Sequence, residues 1–75
     1  MGTIVRRVLE GYQTLVEWSP SDPATVEAAE AIFRREVEGG YMAVLEDDGV
    51  NASEPVQSLP VDAERVVMTM PMGGG

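Results

Sequence analysis

One segment, residues 23–38, constrains the fold of this chain more than any other because it carries the signals of a single helix. Asp22 followed by Pro23 is a helix N-cap followed by a proline at the first helical position. At the other end, Gly39-Gly40 supplies the left-handed residue that commonly closes a helix. The sequence therefore predicts one helix from about Pro23 to Glu38.

The apolar residues of this segment recur on one broad side of a helical wheel. They are Val26, Ala29, Ile32, Phe33 and Val37. Phe33 lies in the middle of this stripe and is the only phenylalanine, so we expect it at the centre of the core. Glu36 intrudes near the apolar edge, and Glu30 and Arg34 have the i,i+4 spacing of a favourable ion pair.

Two strands are predicted before the helix. Residues 3–9 and 12–18 are rich in β-branched, aromatic and aliphatic side chains and flank Glu10-Gly11, which suits the turn of a hairpin. In the second strand, Tyr12, Thr14, Val16 and Trp18 alternate with their neighbours, which predicts one buried and one solvated face. Trp18 is expected in the core. The first strand also fits a short helix ending at Gly11, and the strand is favoured.

More strands are predicted after the helix. Residues 41–45 suit a buried strand, residues 46–49 a turn, and an irregular stretch is expected up to Pro55. A brief edge strand over residues 56–59 and a final strand over residues 65–70 complete the order ββαβ(β)β. This order predicts an α+β domain with one helix across a mixed sheet of four or five strands. A β-grasp is the simplest such arrangement, while ferredoxin-like half-domains and other small α+β sandwiches stay open.

The missing residue types restrict the chemistry of the protein. Its 75 residues include no cysteine and no histidine, which removes thiol nucleophiles, disulfides, thiolate metal sites and histidine bases. We therefore expect one domain that is not an enzyme and holds no cofactor or metal. The net charge of −8 disfavours nucleic acid and membrane partners, and no apolar run suits a membrane span or signal peptide. A cytoplasmic location is expected.

The last thirteen residues, from Ala63 to Gly75, contain an acidic turn, an apolar strand, Pro71 and a run of glycines. This succession resembles the end of the ubiquitin-like and sulfur-carrier β-grasp proteins. The length and element order of the whole chain agree loosely with those families. The resemblance implies a β-grasp domain over residues 1–71 and a flexible C-terminal glycine tail over residues 72–75.

By this resemblance, the terminal carboxylate is the reactive group. Gly75, or Gly74 after trimming, would be adenylated with ATP by an E1-like activating enzyme, then converted to a thiocarboxylate or transferred to a thiol or an amine. Gly73 and Gly74 would give access to that enzyme because glycine has no side chain, and Pro71 and Met72 would contact it. The chain would be a protein modifier or a sulfur carrier. The alternative is a small acidic interaction or structural subunit, of a complex or a virion, with an inert tail.

Two further groups of polar residues are expected to be solvated. The acidic stretch lacks the spacing of an EF-hand calcium loop, so a solvated turn is expected there. Its oxygen-bearing residues are Glu46, Asp47, Asp48, Asn51 and Glu54. Arg6 and Arg7 are neighbours on a strand and point to opposite faces, so they do not form one basic patch.

Overall fold

The computed structural model describes residues 1–47 and 50–70, and of these it describes residues 47 and 50–54 by their backbone. The elements are β1 (Gly2–Val8), β2 (Gly11–Trp18), α1 (Pro23–Glu38), β3 (Met42–Asp47), β4 (Val50–Val56) and β5 (Arg65–Thr69). The strands form one five-stranded sheet in the order β2-β1-β5-β3-β4. The central strand β5 is parallel to β1, and the other neighbours are antiparallel.

The helix α1 packs across one face of this sheet, so the predicted α+β architecture is confirmed. Its bounds agree with the prediction. The Asp22 side chain accepts a hydrogen bond from the Ala24 N–H at 3.2 Å, which caps the first turn. At the other end, Gly40 has a φ of 101°, a conformation that glycine adopts without steric cost. The architecture is compatible with a β-grasp.

The main hydrophobic core lies between the helix and the sheet. Its buried members are Ile4, Trp18, Ala29, Phe33, Ala43, Leu59, Val66 and Met68. Phe33 is only 4% exposed, which confirms that it belongs to the core. Trp18 is also buried, as predicted, and its indole N–H donates a 3.0 Å hydrogen bond to the carbonyl oxygen of Val61. This bond satisfies the one polar atom that the ring brings into the core.

The predicted alternation of β2 is wrong in its middle because the strand contains a β-bulge. Ile4 lies opposite Val16, but the next residue of β1, Val5, lies opposite Thr14. Leu15 is therefore the extra residue, and it packs against the main core together with Val16. Beyond the bulge the faces are exchanged, so Tyr12 and Thr14 are exposed.

The predicted strands after the helix were also partly wrong. Glu46 and Asp47 belong to β3 and not to a turn, and β4 occupies the whole stretch from residue 50 to Pro55 that was predicted to be irregular. The edge strand expected over residues 56–59 ends at Val56, and Leu59 is instead a buried residue of the following loop. Since β4 is an edge strand, it tolerates polar residues and a proline that a central strand would not.

The first residue of β1, Gly2, has to be small because the Trp18 ring lies on it. A Cβ atom added at Gly2 would overlap this ring. We expect Gly2→Ala to lower the free energy of unfolding by about 1 to 3 kcal/mol, as overpacked cores do. Chemical denaturation would compare it with Gly39→Ala, where the nearest atoms lie 3.4 Å from the added Cβ. Equal stability of the two variants would contradict the packing of Trp18 on Gly2.

Candidate functional site

All the residues that the sequence assigns to the reactive tail lie outside the described residues: Pro71, Met72, Gly73, Gly74 and Gly75. The prediction that this tail is flexible therefore also concerns residues outside the described part. What the structure does show is the end of the sheet that leads to the tail. The strand β5 ends at Thr69, and the next residue, Met70, is 53% exposed.

The turn between β1 and β2 lies at the same end of the sheet, because β1 and β5 are parallel neighbours. Two bulky apolar residues of this region, Val8 and Leu9, are exposed, and Leu9 is completely so. With Arg7, Thr69 and Met70 they line a shallow hollow of about 600 Å³. Exposed apolar side chains that lie together are typical of protein contact surfaces. We call this surface the hairpin end.

Sequence reasoning missed the hairpin end. It treated Val8 and Leu9 as ordinary members of a strand pattern. The turn lies at Leu9-Glu10 and not at the predicted Glu10-Gly11, so Leu9 is a turn residue and Val8 is the last residue of β1.

The prediction that Arg6 is solvated is wrong. Its guanidinium forms a bidentate pair with Glu36 of the helix, with Nε to Oε1 at 2.8 Å and Nη2 to Oε2 at 2.7 Å. The same guanidinium lies 4.8 Å from the centre of the Tyr41 ring. Arg7, in contrast, is exposed.

This pair explains why a carboxylate is tolerated in the apolar stripe. Glu36 is a buried residue of α1, and it faces Arg6 across the interface between the helix and β1. Because Arg6 donates hydrogen bonds to Glu36, the pKa of Arg6 is raised above its ordinary value. Two parallel hydrogen bonds also fix the orientation of both groups. The pair therefore connects the last turns of α1 to β1, the strand that leads into the hairpin end.

We expect Glu36→Gln to lower the denaturation midpoint, because the amide leaves the Arg6 charge without a counterion at the helix interface. The matched control is Glu30→Gln, an exposed position of the same helix where no ion pair is broken. The double variant Arg6→Met/Glu36→Leu is expected to recover much of the loss, since no charge then lacks its partner. Equal midpoints for Glu36→Gln and Glu30→Gln would show that the pair does not stabilise the fold.

The face of the sheet away from the helix carries a second, smaller apolar cluster, formed by Val5, Val44 and Val67. These residues are opposite one another on three adjacent strands. Arg65 lies on the same face, with its guanidinium 4.6 Å from the centre of the Tyr12 ring and Nη1 3.0 Å from Oε1 of Glu46.

The Nε atom of Arg65 is buried and has no hydrogen-bond partner among the described residues.

Only Glu46 of the oxygen-bearing residues weighed against a calcium loop has a described side chain. Glu46, one of the oxygen-bearing residues considered for calcium, is engaged by Arg65. The side chains of Asp47, Asp48, Asn51 and Glu54 lie outside the described part. Elsewhere in that part, acidic residues do not gather in a group of three or more that could hold a metal ion. The ion pair predicted between Glu30 and Arg34 is not formed.

The described residues include no helix that is long and apolar enough to cross a membrane.

Comparison with known proteins gives no relative from which a function could be transferred. No family model matches this chain, and neither a curated protein nor a solved structure matches it significantly.

Proposed function

We propose that this protein is a cytoplasmic β-grasp protein of the ubiquitin-like or sulfur-carrier kind, whose terminal glycine carboxylate is activated by an E1-like enzyme. The observation that carries the proposal is the topology. A chain with the strand order β2-β1-β5-β3-β4 and one helix across the sheet has three residues after its central strand, Met70 to Met72, and then a run of three glycines. Because β5 is paired on both sides, the point from which the tail continues is firmly held.

The hairpin end supports the same function. A tail that enters an enzyme's channel needs an adjacent surface that holds the domain against the enzyme. Val8, Leu9 and Met70, the last described residue, offer exposed apolar area at the point from which the tail continues. Arg7 adds a positive charge to a protein that is otherwise strongly acidic. The complementary enzyme surface is apolar, with a carboxylate opposite Arg7.

The protein acts in this proposal as a substrate and not as a catalyst. A carboxylate oxygen of Gly75 attacks the α-phosphorus of ATP on the partner enzyme, which forms an acyl adenylate and releases pyrophosphate. A thiolate of the enzyme then displaces AMP and forms a thioester, which an amine of a target protein converts to an amide. In the sulfur-carrier version, hydrosulfide supplied by the partner system attacks the acyl carbon of the adenylate, expels AMP and leaves a thiocarboxylate.

The test is incubation of the intact protein with ATP and an E1-like enzyme encoded beside its gene, followed by intact-mass analysis. An adenylate at the chain end is the expected first product; a thioester after it indicates a modifier, and a thiocarboxylate indicates a sulfur carrier. A protein that stays unmodified with every candidate enzyme would favour the alternative, an acidic interaction or structural subunit with an inert tail.

A further inference from the structure

A groove begins beside the second half of α1, next to the segment 55–59 that ends β4 and follows it, and extends past the end of the helix to the start of β3. It consists of a hollow of about 150 Å³ beside the helix and one of about 510 Å³ beyond it. Val37 and Gln57 line both hollows, so the two are adjacent. We call this feature the helix groove. It lies on the far side of the helix from β2 and does not include the hairpin end.

The floor of the helix groove is apolar. Phe33 and Leu59 line the smaller hollow, and Tyr41, Met42 and Val56 are among the residues that line the larger one. Val37 belongs to the predicted core stripe of the helix, yet it is 41% exposed, because it faces the groove and not the sheet. A hollow of about 150 Å³ takes a group of about the size of a benzene ring. One large apolar side chain therefore fits the smaller hollow.

The rim of the helix groove is polar and carries more negative than positive charge. Glu30, Arg34 and Glu38 border the smaller hollow at successive turns of the helix. Neither glutamate forms an ion pair with another described residue. The C-terminal end of α1, at Gly39, adds the partial negative charge of a helix end. With a net charge of −8, the whole protein attracts a cationic partner.

The segment beside the groove favours a helix over an added strand as the partner element that binds there. β4 is the outermost strand of the sheet, but Pro55 near its end has no N–H to donate to a further strand. A helix instead presents apolar side chains at spacings of three and four residues, which suits two adjacent hollows.

We propose that the helix groove binds a basic amphipathic helix of a partner protein. One large apolar side chain of that helix enters the hollow over Phe33 and Leu59, and a second packs on Val37 in the larger hollow. Lysine or arginine residues of the partner face Glu30, Glu38 and the C-terminal end of α1. This interaction goes beyond the proposed chemistry of the tail and does not depend on it.

The experiment is an NMR titration in which a short synthetic amphipathic helix, with leucine and phenylalanine on one side and lysine on the other, is added to the protein. We expect saturable shifts of the amides that border the groove. Two control peptides, one with glutamate in place of lysine and one with serine in place of the apolar residues, are expected not to bind. Val37→Asp, at an exposed position, should weaken binding at least about tenfold.

Glu38→Lys and Glu27→Lys make a matched pair, because each changes the net charge equally and both positions are exposed on α1. Only Glu38 borders the groove, so only Glu38→Lys should weaken binding several-fold beyond the general effect of charge. Equal weakening by both variants, binding of the serine peptide, or shifts confined to another surface would overturn the proposal. Removal of Gly74 and Gly75 should leave the titration unchanged, which separates this result from the outcome of the activation assay.

Discussion

Phe33→Ala is expected to lower the free energy of unfolding by about 3 to 5 kcal/mol. The Phe33 ring is 4% exposed and lies between the helix and the sheet in the main core. Its removal takes away buried apolar area and leaves a cavity that the backbone of a packed helix cannot close. Domains have only about 5 to 15 kcal/mol of net stability, so this variant is expected to be substantially unfolded at moderate temperature. Urea denaturation followed by the fluorescence of the buried Trp18 measures the loss.

The matched control is Val37→Ala, four residues further along the same helix. Val37 is 41% exposed, and alanine favours helix more than valine does. The Val37→Ala substitution is therefore expected to change the free energy of unfolding by no more than about 0.5 kcal/mol. If Phe33→Ala were as stable as Val37→Ala, the helix would have to face the sheet with a different side from the one described.

Deletion of Gly74 and Gly75 is expected to abolish activation by the E1-like enzyme without destabilising the domain. The described core is formed by residues up to Met68, and neither glycine has a side chain to contribute to it. The deletion shortens the tail, so that the terminal carboxylate no longer reaches the position at which the enzyme binds it. The expected loss of activation is therefore complete and not partial. Intact-mass analysis after incubation with enzyme and ATP measures activation, and denaturation measures stability.

Deletion of Gly75 alone is the informative companion variant. It leaves two terminal glycines, Gly73 and Gly74. Full activation of this variant would show that a chain ending at Gly74 is sufficient, and complete loss of activation would show that Gly75 is the reactive residue. The proposed role of the tail would be contradicted if the protein that lacks both Gly74 and Gly75 were activated as well as the intact chain or kept full biological activity.

Sequence reasoning succeeded where local chemistry decides the structure. The N-cap at Asp22, the proline at the first helical position and the glycine pair after Glu38 determine the bounds of the helix by local hydrogen bonds and backbone angles. The burial of Phe33 and Trp18 followed from their size and from the periodicity around them. The hairpin of β1 and β2 and the last strand followed in the same way.

Sequence reasoning failed where distant residues decide the structure. The pairing of Arg6 with Glu36 joins two elements whose contact depends on how the helix lies on the sheet, and no local pattern gives that. The bulge at Leu15 is a feature of register with β1, which a strand's own alternation does not reveal. β4 was missed because an edge strand needs little apolar character. The two hollows of the helix groove depend on how a loop packs beside α1, and the residues of the reactive tail lie outside the described part.

The parallel pairing of β1 with β5 has a consequence for how the chain folds. In this pair Thr3 lies opposite Arg65, so the central strand β5 and its neighbour β1 come from nearly opposite ends of the sequence. The hairpin of β1 and β2 can form early from local contacts, but one edge of β1 stays unpaired until β5 arrives. Such non-local pairing slows folding relative to helical proteins of similar size. During that interval Ile4 and Val5 lack their neighbours Val66 and Val67, so the unfinished sheet exposes both an unpaired strand and apolar side chains to other molecules.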